Sequence, residues 1–455
     1  MIEEDKHTPL SNVNPQGTDT EMLATLQKET LEFFLKETNL ENGLIADNTS
    51  YDSPCSIAAV GMALTCYISA VECNLFSRAE AVKRTHTVLK FLYTSKQSTE
   101  SDATGYKGFY YHFLDMKTGK RTWNCELSTI DTAILVAGIL TAQNYYLDDN
   151  EIESEIRSLA DKIYLRIDWN WALNGSDAIN HGWKPESGFL SYSWDKDYSE
   201  AHILYILALG STTFPIQSPI YNKWISTFEL KDIYGIKCYY AGPLFIHQMS
   251  HIWIDFEGIQ DDRNKKDKID YFENSSRATH IQQQYAIKNP LQFLHYSENG
   301  WGFTASNGPG NRTMMIKGVQ RTFFSYIARG APYGPDDGTI APWAVVASLP
   351  FASDIVLKTI RHAIERLDLK KHSKYGFDAS FNPTYPEKGP NPNGWISPLQ
   401  YGLNQGPIII MIENYRTRLI WNIIKKSNYI TVGLIKAGFT GGWIEQLKTK
   451  KNESN

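Results

Sequence analysis

Residues 195–200 read DKDYSE and run straight into the apolar stretch AHILYILALG, so Asp195, Lys196, Asp197 and Glu200 crowd against the start of what reads as a buried helix. Other acids stand in the same relation to apolar runs. Glu126 and Asp131 flank the start of STIDTAILVAGIL, and Asp336 and Asp337 precede TIAPWAVVASL. Acids near a helix N-terminus complement the macrodipole by about 0.3–1 kcal/mol, and Asp197-x-x-Glu200 and Ser128-x-x-Asp131 have capping-box spacing. Capping does not explain the company these acids keep, because Trp123, Trp183, Glu186, Tyr192, Trp194, Trp343, Asp378 and Trp395 all map beside the same helix starts. Carboxylates converging among tryptophans suit glycosidic hydrolysis, which needs one protonated acid for the leaving oxygen and one carboxylate to activate water or attack. A helix N-terminus depresses a carboxyl pKa, so the acid must be raised by burial or by a neighbouring carboxylate.

The elements that would position these groups alternate along the chain. Segments near 20–37, 77–95, 150–167, 217–229, 270–288 and 353–368 carry charge on one face and read as outer helices. Between them lie CSIAAVGMALTCYISAV, STIDTAILVAGIL, SEAHILYILALG, GPLFIHQMSHIWI, TIAPWAVVASL and GPIIIMIENYRTRLIW, apolar nearly all round and expected as inner helices. This alternation predicts an all-α fold, a single (α/α)6 toroid. The linkers from outer to inner helices (37–53, 96–127, 168–198, 289–338, 369–405) are mostly long, which places the elaborated loops on the face bearing the inner-helix N-termini. Two contain strand-like pieces: GFYYHFLDMKTGKRTWN, with a hairpin turn at 117–120, and SGFLSYSWD.

Composition narrows the partners. A net charge of −5 over 455 residues lacks the basic excess that nucleic acid demands, whereas 13% aromatic residues, with 12 Trp and 26 Tyr, suit stacking on sugar rings. The five cysteines form no CxxC pair and read as reduced and structural. Residues 1–19 are polar, without a basic or apolar leader, and no uncharged apolar run reaches membrane-spanning length. The expectation is one domain over 20–445 between disordered ends (1–19 and 446–455), monomeric and not membrane-inserted. It would be cytoplasmic as written, or periplasmic or secreted if a leader has been removed. His247, His251 and Asp255 share a helix face and could chelate a metal, but the motif lacks the HExxH glutamate, and substrate hydrogen bonding or a buried polar network is the preferred reading. Arg277 and Arg416 could clamp hydroxyls or pair with Glu273 and Glu413. Gln248 completes the polar candidates of the fourth inner segment.

WNCELSTIDTAILVAGIL, GWKPESGFLSYSWDKDYSEAHILYILALGS, GPLFIHQMSHIWIDFEG, DDGTIAPWAVVASLPFA, YGFDASFNP and LNQGPIIIMIENYRTRLIW, in that order, resemble the glucoamylase-like family that includes bacterial endo-β-1,2-glucanases, glycoside hydrolase family 144. The resemblance covers residues 20–445. It implies an (α/α)6 toroid that hydrolyses β-1,2-glucan with inversion and needs no metal or organic cofactor. It also implies Glu200 as the general acid, its proton delivered directly or through a substrate hydroxyl, and Asp378 as the base. FDASFN departs by a residue from the usual family pattern, so Asp131, Glu126, Asp336 and Asp337 stay open as alternative bases, and a glucan-binding protein without activity is the competing class. A transglycosylase or an exo-acting glucosidase would use the same residues. Trp123, Trp183, Tyr192, Trp194, Trp343 and Trp395 are the expected stacking or contact groups, with His247, Gln248, His251, Arg277 and Glu413 as polar contacts.

Overall fold

The structure is a computed structural model that describes residues 17–386 and 393–446. The first helices in chain order are α1 (Asp19–Lys36), α2 (Ile57–Glu72), α3 (Arg78–Thr94), α4 (Thr129–Tyr145), α5 (Glu151–Leu165), α6 (His202–Gly210) and α7 (Ser218–Ser226). They are followed by α8 (Asp262–Asp267), α9 (Tyr271–Lys288), α10 (Pro342–Ala347), α11 (Ser353–Glu365), α12 (Gly402–Thr417), α13 (Leu419–Ile424) and α14 (Asn428–Lys436). Side-chain caps set the amphipathic starts: Thr18 and Glu21 form a reciprocal box on α1, and Ser77, Asn150 and Asp270 accept backbone N–H groups of α3, α5 and α9. Helix α1 therefore begins at Asp19, the last residue of the segment expected to be unordered. Residues 1–16 of that segment and 447–455 of the expected tail lie outside the described residues.

The apolar helices are buried on all sides. Every residue of α6 is buried, as is α2 from Ile57 to Ala70. Helices α2 and α4 pack backbone to backbone, since a Cβ on Gly138 would stand 2.1 Å from the Gly61 carbonyl oxygen. Helix α2 also packs on α12, α12 on α10 and α1, and α4 on α6. Two departures from expectation have clear causes. The segment 242–254 is not an α-helix but two 3-10 turns, Leu244–His247 and Met249–Ile252. Its backbone gives up helical bonding to neighbours: the Leu244 N–H donates to the Phe303 carbonyl and the Phe245 N–H to Thr304 Oγ1, at 3.0 and 3.1 Å. The stretch 406–421 breaks at Arg418, whose φ of 59° ends α12 and starts α13. Helix α14, absent from the sequence reading, closes against α6, where a Cβ on Gly433 would lie 2.1 Å from the Ile206 carbonyl oxygen.

The long linkers carry short strands, so the helical body is embellished with small sheets. Strands Gly105–Tyr106, Phe109–Tyr111, Leu127–Ser128, Gly182–Lys184 and Gly188–Phe189 form an antiparallel sheet in that order, drawing together linkers 96–127 and 168–198. The expected hairpin turn is present, with the Asp115 N–H donating to the Lys120 carbonyl at 2.7 Å and Gly119 at a φ of 68°. The sheet feeds the helix starts: Ser128 ends a strand and caps α4, while Ser56, paired with Phe113, caps α2. Linker 289–338 raises a second hairpin, Arg312–Ile316 with Val319–Phe323. No helix among the described residues is long and apolar enough to cross a membrane.

Candidate active site

Glu200 sits in the turn that enters α6 and is half-buried. The expected Asp197–Glu200 capping box is not formed: α6 starts later, at His202, and Asp197 is in the left-handed region at a φ of 59°. Asp197 donates its N–H to Thr227 Oγ1 and accepts at its carbonyl from Trp224 Nε1, which holds it on the α7 side. Ser250 takes over the capping task from a distant segment: its hydroxyl donates to the Glu200 carbonyl at 2.7 Å and accepts the Ile203 N–H at 3.0 Å. The Glu200 carboxyl, free of that task, is pushed up to about 7 by burial and by the negative charge of Asp131, against a lowering bond from its own backbone.

Asp131 belongs to a tight polar group. Its N–H donates to Ser128 Oγ at 3.2 Å, and the Ser128 hydroxyl donates to Asp131 Oδ2 at 2.5 Å, so the second sequence-predicted cap exists. His112 places Nδ1 2.9 Å from Glu126 Oε1 and Nε2 3.6 Å from Asp131 Oδ2. Burial opposes its charge, yet Asp131, Glu126 and Asp47 push the ring up to about 9. Asp47 is raised by burial, lowered by its bond from Asn48 and by His112, and raised again by Asp131. Tyr326, which follows the second hairpin, is raised by burial and by Asp131, Asp47 and Glu200, and Tyr401 by burial and Asp47. Three linkers thus deliver Asp47, His112 with Glu126, and Tyr326 to the starts of α4 and α6.

The ligand atoms of His112, Glu126 and Asp131 lie within 4.8 Å of one another. The ring turns opposite nitrogens to the two carboxylates, so it fills the cation's place between them itself. His112, Asp47, Tyr326 and Tyr401 were not singled out in the sequence. The available signal was their position, each in an outer-to-inner linker, three of them polar groups within a strand or bridge of an apolar helix start.

Other candidates are engaged by the scaffold. Asp337 pairs with Arg329 at 2.7 Å with both side chains wholly buried, and Asp336 accepts the hydroxyls of Tyr285 and Tyr296 at 2.8 and 2.6 Å. His247 contacts the Ala241 carbonyl, His251 contacts Ser275, and Gln248 donates to the Ala344 carbonyl and Ser348. Arg277 donates to Glu273 and the Lys237 carbonyl, and Glu413 accepts from Gln27, Cys73 and Thr417. Trp343 is buried, and Trp194 is buried with its ring stacked 3.9 Å from His181. Trp183 leans on Tyr106 at 5.2 Å, and Trp395 is half-buried in strand Trp395–Ile396. Trp123, at a φ of 55° and 63% exposed, and Tyr192, 69% exposed, present open faces. Glu186 is tied to Arg121 by two bonds, at 2.6 and 3.0 Å. Asp378 is buried with Oδ2 unpartnered among the described residues, and burial, with Asp368 second, pushes its carboxyl up to about 7.

The chain as a whole is similar to known proteins. The chain is 26% identical over 452 residues to an exo β-1,2-glucooligosaccharide sophorohydrolase (non-reducing end) of Parabacteroides distasonis, an alignment that covers 92% of this chain and 58% of that protein's length. Its structure is similar to that of a "putative glucoamylase" from Bacteroides uniformis, with a TM-score of 0.83, 29% identity and coverage of 94% of this chain and 99% of that one. A β-1,2-glucanase from Parabacteroides distasonis matches with a TM-score of 0.80 and 25% identity, covering 93% of this chain and 60% of that one. The family described as "Glycoamylase: Putative glucoamylase" matches residues 191–428, a span that opens on the Glu200 turn and includes Asp378. With more than half its length inside that match, the chain belongs to the Glycoamylase family.

Proposed function

We propose that the protein is a glycoside hydrolase that cleaves β-1,2-glucan by acid/base catalysis with inversion, Glu200 serving as the general acid. The observation that carries this reading is the Glu200 carboxyl raised to about 7 beside Asp131, which makes it a proton donor at neutral pH. In the reaction, the Glu200 proton passes to the leaving glycosidic oxygen, directly or through a substrate hydroxyl, as the C1–O bond breaks. Water adds to C1 from the opposite face and gives its proton to the base. Asp378 is the base in this reading, supported by a carboxylate oxygen left without a protein partner, an acceptor open to a water. The coupling of Asp131 to Glu200 supports Asp131 as the rival base. Trp123, exposed and packed on the Phe113 ring that stacks on His112, and the exposed Tyr192 are stacking surfaces for the glucan in this reading.

The same reading treats the ordered chain as one hydrolase domain in which the alternating helices close as an (α/α)6 toroid. The packing of α12 on both α2 and α10, and the bonds from Ser250 to α6 and from Gln248 to α10, support that closure. Endo action is the primary reading. Exo action is the second, favoured by the name of the Parabacteroides relative.

The test is reducing-end release from linear β-1,2-glucan, with α-1,4- and β-1,3-glucans alongside, for wild type, Glu200→Gln, Asp378→Asn and Asp131→Asn. Hydrolysis confined to β-1,2-glucan, lost in Glu200→Gln and giving the α-anomer first in proton NMR, is expected. Wild type inert on all three glucans would overturn the assignment. Early appearance of mixed long oligosaccharides marks endo action, and disaccharide alone marks exo.

A further inference from the structure

We propose that His112 is a positioning residue for the Glu200 acid: its ring, held between Glu126 and Asp131, fixes the Asp131 carboxylate as the anion that faces Glu200. The proposal rests on the hydrolase reading above for its kinetic consequence and on geometry for its premise. The ring cannot turn freely. The His112 N–H donates to the Glu126 carbonyl at 3.0 Å, its own carbonyl accepts the Ile57 N–H at 3.3 Å, and the ring stacks on Phe113 with centroids 3.9 Å apart. Held there, it turns Nδ1 to one carboxylate and Nε2 to another.

A neutral imidazole has one N–H and one lone pair, so one of those two contacts would set a lone pair against an anion. Only the imidazolium can donate to Glu126 at 2.9 Å and still turn a positive edge to Asp131 at 3.6 Å, a charge contact longer than a hydrogen bond. It is therefore a fixed cation in the charge inventory of the mouth. Glu126 faces it from the residue before strand Leu127–Ser128, Asp131 from α4 and Asp47 from the first linker, while Lys184 stands beyond Glu126 and Glu200 and Tyr326 beyond Asp131. Carboxylates gathered on one ring repel one another, and the positive ring offsets that repulsion and favours a negative charge at Asp131, the neighbouring charge that adds to burial in raising Glu200. Ser128 completes the clamp by donating to the same Asp131 oxygen that His112 faces. The ring touches no reacting atom in this account and acts through Asp131.

Two measurements on the full chain decide it. The pH dependence of kcat and kcat/KM on linear β-1,2-glucan is compared for wild type, His112→Gln and His112→Arg. In His112→Gln the alkaline limb, which reports loss of the Glu200 proton, moves down by up to about one pH unit and kcat at pH 7 falls severalfold, with KM changing less. In His112→Arg, a permanent cation returns the limb toward its wild-type position. An unmoved alkaline limb in His112→Gln, whatever the loss of rate, overturns the proposal. Independently, proton–carbon NMR of labelled histidines, with His112 assigned by its loss in His112→Gln, reads the charge directly. The His112 C2–H stays at its protonated shift through pH 7.5; titration near the ordinary histidine value of about 6.5 overturns the premise. If wild type hydrolyses no glucan, the hydrolase reading falls, and the NMR titration still decides the state of His112.

Discussion

At the scale of single residues, the chemistry turns on Glu200, whose proton is set by what surrounds it rather than by what it bonds. Among the described residues no ion pair is found at its carboxyl, and burial and Asp131 raise it together. Glu200→Gln keeps the shape and removes the proton, so kcat should fall by about 10²–10⁴-fold with KM little changed, read from initial rates at pH 6–7. The sign of the stability effect follows from linkage. A carboxyl raised from its ordinary 4.5 to about 7 binds its proton more tightly in the folded state, a contribution present below pH 4.5 and lost as pH rises through 7. Glu200→Gln dispenses with that loss, so the variant should melt higher than wild type above pH 7 and show no gain at pH 4.5, measured by thermal melts across that range. A variant destabilised equally at both pH values would contradict the buried-acid description. Glu200 drew notice in the sequence because acids crowd an apolar helix start in one stretch, and its role as the acid came from the resemblance to the glucoamylase-like family. His112 did not, because its partners Glu126 and Asp131 lie 14 and 19 positions away and only strand pairing brings them to its two nitrogens.

At the scale of elements, two features make predictions of opposite kind. Helices α2 and α4 meet through Gly61 and Gly138, where any Cβ would stand 2.4 or 2.1 Å from the facing carbonyl oxygen. Gly138→Ala should therefore cost about 1–3 kcal/mol or more, seen as a lower urea midpoint with unchanged slope, because both partners are backbone and neither can rotate away. Beneath the acid, His202 and His247 are buried and neutral, burial pushing them down to about 3 and about 4. Their folded values lie below the unfolded value of about 6.5, so stability is full above that pH and declines as pH falls toward 4. Urea midpoints measured from pH 7.5 to pH 4.5 should fall, and less so in His202→Phe if that variant keeps the fold. The outer helices were legible in the sequence, with α1, α3, α5, α9 and α11 lying within a few residues of their expected bounds, because one-sided charge and side-chain caps are local signals. The fourth apolar segment was not. Its composition says buried, while the choice of 3-10 turns over an α-helix was made by Phe303, Thr304, Glu200 and Ala344, none of them nearby in sequence.

At the scale of the whole molecule, the last third of the chain completes the first. Helix α12 packs on α1, α2 and α10, and the centre is pinned by bonds from Trp253 Nε1 to Thr65, from Trp421 Nε1 to the His251 carbonyl and from Asn414 to the Ile252 carbonyl. A chain ending at residue 401 should therefore fail to fold, giving no cooperative thermal transition by circular dichroism, whereas the full chain gives one. The sequence by itself determined the alternation of amphipathic and apolar segments, the long linkers between them and the aromatic and acidic content of those linkers, since these depend on residue type and on spacings of a few positions. Only the tertiary structure decided which acids meet. It drew Asp47, His112, Glu126 and Tyr326 from three linkers to Asp131 in α4 and Glu200 before α6, and it enclosed Asp336, Asp337 and Glu413, equally acidic in the sequence, in bonds to tyrosines, an arginine, a glutamine, a cysteine and a threonine. A carboxylate has the same formula in either place, and its proton affinity comes from burial and from charges brought close by the fold, neither of which is a property of neighbouring letters.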